Sequence, residues 1–196
     1  GVVSRWFGTQ PGYYYEHNLR ANDALIEECD KANMLFTICW EDRPAGALES
    51  DAEVLAQLTR DFEYLRDRYV ERDCFVRHGK NREPLMLLLG PTKVTSALPW
   101  AAALRSVFPD VTSRPALLTM VGSPVAQSAE IDVGFYAWFP RDMKPFCSLR
   151  GIGDYLDDFY EDPDCVMGSA FPEYKDYYAE GEDGAIDEME GLLHPL

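Results

Sequence analysis

The chain has 196 residues, 46% of them hydrophobic and 13% aromatic, which is the length of one domain, with too much apolar material for a disordered chain. Its 34 acidic residues outnumber 18 basic ones, giving a formal net charge of −16. That balance excludes the basic footprint that nucleic acid or an anionic membrane requires as a partner, and no apolar run reaches the ~20 residues of a membrane-inserted helix.

Taken in chain order, Gly1 to Phe7 reads as a strand, and Gly8 to Tyr15, with its Gly, Pro and three tyrosines, as a loop. A helix follows. Asn22 is its expected N-cap, Leu25, Ile26, Cys29 and Ala32 share one face, and Asn33 is a fitting stop. The run Leu35-Phe36-Thr37-Ile38-Cys39-Trp40 predicts a strand buried on both faces, ending at Glu41 and Asp42. Ser50 and Glu53 have capping-box spacing, and Val54, Leu55, Leu58, Phe62, Leu65 and Tyr69 recur near a 3.6 period, predicting a helix. Leu85 to Leu89 predicts a buried strand, 97–107 a helix, Ala116 to Val121 and Val133 to Trp138 further strands. Leu149, Ile152, Leu156 and Phe159 mark an amphipathic helix before a last strand, Cys165 to Phe171. Apolar strands alternating with helices predict an α/β protein with a parallel sheet. About six βα units without a Gly-rich phosphate turn predict a (β/α)8 TIM-barrel-like fold, incomplete in this chain. The barrel domain is expected over 1–182 and an acidic tail over 183–196. Residues 151–196 hold 14 acids against Lys175 alone, and a solvated, partly frayed segment is expected after Glu180.

The five cysteines include no C-x-x-C pair, so a zinc ribbon or a redox motif is not expected, and Cys29 and Cys39 read as small core residues. His17, His78 and His194 stand apart from acids at metal spacing. Neither a P-loop, a G-x-G-x-x-G nor a G-x-S-x-G elbow occurs, so no cofactor is expected. The chain begins at Gly1, inside a strand and without a signal peptide, and is read as a processed or truncated piece.

Acids at the carboxyl ends of parallel strands lie where α/β folds place their chemistry. Glu41 and Asp42 beside Trp40 fit a sugar site: the aromatic stacks on the ring, and the acid protonates the glycosidic oxygen or stabilises the cation. A helix-capping or salt-bridge role, with Arg43 as partner, is the structural alternative. Arg5 either binds substrate or forms an ion pair; Trp6 and Trp40 are candidate substrate contacts, and Trp138 is either a core plug or a sugar platform. Tyr13, Tyr14 and Tyr15 either line the cleft or sit on the surface. Glu173, Tyr174, Asp176 and Glu180 follow the last strand, with Asp176 the first choice as partner of Glu41.

In order along the chain, Val2-Val3-x-Arg5-Trp6-Phe7-Gly8-Thr9, Phe36-x-Ile38-Cys39-Trp40-Glu41-Asp42, Pro84-Leu85-Met86-Leu87 and Phe171-Pro172-x-Tyr174-x-Asp176-x-Tyr178-x-Glu180 resemble blocks of the endo-α-mannosidase-like branch of TIM-barrel glycoside hydrolases, family 99-like. The likeness spans roughly residues 1–182. It implies a glycosidase-like barrel acting on a carbohydrate substrate, with Glu41, Asp176 and Glu180 as catalytic acids and secreted or cell-surface use. Glu173 stands where that family usually has Gly, and the turn before Pro84 is longer than its D-G-R-P. A non-catalytic carbohydrate-binding barrel, or an interaction protein whose acidic tail recruits a basic partner, would carry the same features with different chemistry.

Overall fold

The computed structural model describes residues 1–89, 93–120, 132–136 and 165–167. The chain divides into two compact units, Gly1–Phe135 and Tyr136–Leu196. The first contains β1 (Val2–Trp6), α1 (Tyr13–Ala32), β2 (Phe36–Trp40), α2 (Asp51–Leu65), β3 (Arg77–His78), β4 (Glu83–Leu88), α3 (Ala97–Val107) and β5 (Ala116–Met120). The strand β6 (Asp132–Tyr136) reaches its boundary, and β7 (Cys165–Met167) lies in the second unit. The protein is thus an α/β protein. In the first unit the sheet runs β1-β2-β4-β5-β6, and β1, β2, β4 and β5 are parallel. Among the described residues no helix is long and apolar enough to cross a membrane.

Register sets the two faces of this sheet. Trp6 pairs with Trp40 and Arg5 with Cys39 along β1 and β2. Because side chains alternate, Trp6, Ile38, Trp40, Met86, Leu88 and Leu117 join the core built with the helices. Arg5, Thr37, Cys39, Leu87 and Leu118 take the opposite face. All five residues of β2 are buried, as expected of a strand with parallel neighbours on each side. The ring of Trp40 is the hub of the core. It meets Trp6, Phe62 and Trp100 edge-on at centroid distances of 5.0, 5.0 and 4.9 Å, the geometry that ring quadrupoles favour.

The α2 capping box is present. Ser50 Oγ accepts from the Glu53 amide, and the Glu53 carboxylate accepts from the Ser50 amide. Asn33 closes α1 in the left-handed conformation, φ 51°.

Helix α1, however, begins at Tyr13 with Gly12 as its N-cap, ten residues upstream of the N-cap expected at Asn22. Gly12, at φ 146°, makes the turn that allows this start, and Glu16 places a negative charge in the first helical turn. Asn22 is instead buried within the helix. Its Nδ2 donates to the Arg5 carbonyl at 3.1 Å and to the Asn18 carbonyl at 2.9 Å, so it ties α1 to β1. The hairpin β3–β4, antiparallel through Arg77↔Pro84 and His78↔Glu83, was not expected from the periodicity. The expected helix around 149–159 lies outside the described residues.

Candidate functional site

Glu41 follows the last residue of β2, and its amide continues the ladder by donating to the Trp6 carbonyl at 2.8 Å. This puts its side chain on the face that also carries Arg5. The Glu41 carboxylate is only 2% exposed, against 47% for the Arg5 side chain and 64% for that of Arg43. Arg5 Nε donates to Glu41 Oε2 at 2.6 Å, and Arg5 Nη2 contacts the same oxygen. Arg43 Nε reaches Oε1 at 2.5 Å. Both carboxylate oxygens are thus engaged by guanidiniums, one from the end of β1 and one from the loop after β2. The Arg5 guanidinium also lies 5.1 Å from the Phe7 ring centroid, within cation–π range. Phe7 in turn meets Tyr14 at 5.3 Å and Tyr15 at 5.8 Å. Tyr14 is 62% exposed, so an aromatic face accompanies the arginines.

Two expected substrate contacts are corrected by burial. Trp6 and Trp40 are 0% and 1% exposed and present no ring face to a sugar, because their register turns them into the helix-side core. Among the described residues neither indole N–H meets an acceptor; both rings are placed by apolar packing. Asp42, expected to touch substrate, has a structural task in the described residues. It is buried, and its Oδ2 accepts from the Lys93 and Val94 amides at 2.8 and 2.6 Å. Those bonds clasp the β2 loop to the segment that leads into α3. The clasp is tight: a Cβ on Gly46 would lie 2.0 Å from the Lys93 Cβ. Trp138, Glu173, Tyr174, Asp176 and Glu180 lie outside the described residues, so the separation of Glu41 from the acids expected opposite it is not among the described geometry.

A second polar group forms at the end of β1. Asp61 Oδ1, on α2, accepts from Thr9 N and Thr9 Oγ1, each at 2.7 Å, and from Gln57 Nε2 at 2.8 Å. Burial pushes the Asp61 carboxyl up to about 6, against the opposing pull of these donors and of Arg60. Gly8, at φ +90°, gives Asp61 its room, since a Cβ there would lie 2.7 Å from Asp61 Oδ2. The Gly8-Thr9 turn that follows Arg5, Trp6 and Phe7 is therefore held from α2. Sequence reasoning passed over this pair, although a signal was present. Val54, Gln57, Leu58, Asp61, Phe62 and Leu65 are the buried positions of α2, and their 3-1-3-1-3 steps place two polar residues on the apolar stripe.

Among the described residues no group of three or more His, Cys, Asp or Glu is arranged to hold a metal. An open groove lined by Leu48, Val54, Leu55, Val94, Leu98 and Pro99, among others, runs by the starts of α2 and α3 and includes neither Arg5 nor Glu41 nor Arg43. Compared with models of protein families, with curated proteins and with solved structures, the chain matches none.

Proposed function

We propose that the chain is a glycoside hydrolase of the carboxylate-pair kind, built on a (β/α)8-type barrel, in which Glu41 is the carboxylate that works charged. The observation that carries this reading is the placement of Glu41: nearly inaccessible at the carboxyl end of a buried parallel strand, with Oε2 accepting from Arg5 Nε and Oε1 ion-paired with Arg43. A carboxylate held in this way is fitted to stabilise an oxocarbenium-like transition state, or to serve as base toward water. It is poorly fitted to be the proton donor, because each oxygen already faces a guanidinium. The acid role then passes to Asp176 or Glu180, the positions that the family resemblance indicates.

The strand order supports the barrel. Each parallel strand is added beside its predecessor from β1 through β2 and β4 to β5, whereas doubly wound sheets reverse direction at a switch point. The carbohydrate substrate is supported by Tyr14, an exposed ring packed on Phe7, which takes the platform role first given to the tryptophans.

The same engagement of Glu41 favours a second reading, a barrel that binds carbohydrate without cleaving it. Turnover separates the two. A panel of aryl glycosides and oligosaccharides should be hydrolysed by the protein, and Glu41→Gln should lower kcat by about 10²–10⁴-fold with an unchanged circular dichroism spectrum. A folded Glu41→Gln variant with full activity would remove Glu41 from the chemistry. Sugar binding without any product from the unmodified protein would select the second reading.

A further inference from the structure

Two guanidiniums converge on one carboxylate, and one carboxylate balances only one of them. Arg5 spends Nε and Nη2 on Glu41 Oε2, and Arg43 spends Nε on Oε1. A guanidinium has five N–H donors. That leaves Arg5 Nη1 and both Nη groups of Arg43 without an acceptor among the described residues, on side chains 47% and 64% exposed. The buried carboxylate fixes both forks in advance, so a ligand that meets them loses little further side-chain freedom. The surplus is a local positive charge on a chain of net charge −16, which concentrates its attraction for anions at this place.

We propose that Arg5 and Arg43 form the anchor for the anionic group of a sugar, so that the carbohydrate bound here carries a carboxylate or a sulfate. The inference rests on the carbohydrate reading above and names its substrate class. The planar carboxylate of a uronic acid and the oxygens of a sulfate both suit guanidinium forks. The exposed Tyr14, which shares the Phe7 ring with Arg5, supplies a surface for the sugar ring beside the anchored charge.

Calorimetric titration of the full chain tests this with three probes: tetragalacturonate, its neutral counterpart galactotetraose, and a sulfated galactose tetrasaccharide. The expected result is at least about tenfold tighter binding of one anionic probe than of the neutral one, the scale of one charge-assisted hydrogen bond. Which anionic probe wins assigns carboxylate or sulfate. The preference should shrink at high salt, vanish in Arg43→Gln, and survive in part in Arg43→Lys, which keeps the charge and loses the fork. Equal binding of the neutral probe, or an undiminished preference in Arg43→Gln, overturns the anionic class while leaving the carbohydrate reading in place. Binding of none of the three overturns this proposal and counts against the carbohydrate reading with it.

Discussion

Asp61 shows how a single buried group can couple the fold to pH. Burial, the largest influence on it, raises its carboxyl from an ordinary 3.8 to about 6. Between those values the folded protein keeps a proton that the unfolded chain has released. The slope of stability with pH is therefore negative for this group: its contribution is greatest below about pH 4 and is lost as pH rises through about 6. A displacement of about two pKa units corresponds to roughly 3 kcal/mol. Asp61→Asn keeps an oxygen where Thr9 and Gln57 donate, yet cannot ionise. Urea unfolding of both proteins from pH 4 to pH 7 should show the variant gaining on the unmodified protein by up to ~3 kcal/mol. A gap that stays flat with pH would mean that Asp61 does not titrate in that range. At this same scale Glu41 was legible as a strand-end acid. Its two guanidinium partners were legible only as candidates, because distance in sequence does not report which side chain a register will place opposite.

Among the elements, α2 was the most readable, since capping chemistry and a 3.6 period are both local. Ser50→Ala removes the acceptor for the Glu53 amide and should cost about 1 kcal/mol, read as a lowered melting temperature. A variant as stable as the parent would mean that water replaces the cap without loss. Helix α1 was less readable. Its first turns carry three tyrosines, weak helix formers, and their place in a helix comes from packing: Tyr14 and Tyr15 lie against Phe7. Asn22 has the chemistry of a cap, but a carbonyl on the neighbouring strand recruits it into the helix interior. Tertiary contact overrides local preference in both cases. The short β3 escaped notice because two residues are too few to show alternation.

For the whole first unit, protection should follow the sheet order. β2 is flanked by β1 and β4 and buried along its length, whereas β1 pairs with β2 alone among the described residues and leaves Val3 53% exposed. In native-state hydrogen exchange the amides of Thr37 to Trp40 should therefore be slower than those of Val3 to Arg5. Equal protection in the two strands would show that another part of the protein covers β1. The α/β class, the parallel sheet and most strand positions came from the amino-acid sequence by itself, because apolar runs and helical periodicity are consequences of burial that remain visible in one dimension. Only the tertiary structure decided that Trp6 and Trp40 are core instead of substrate contacts, that Asp42 clasps a loop, and that Arg5 and Arg43 share Glu41. Each depends on which face a residue occupies once strands are in register, and a shift of one residue reverses that face.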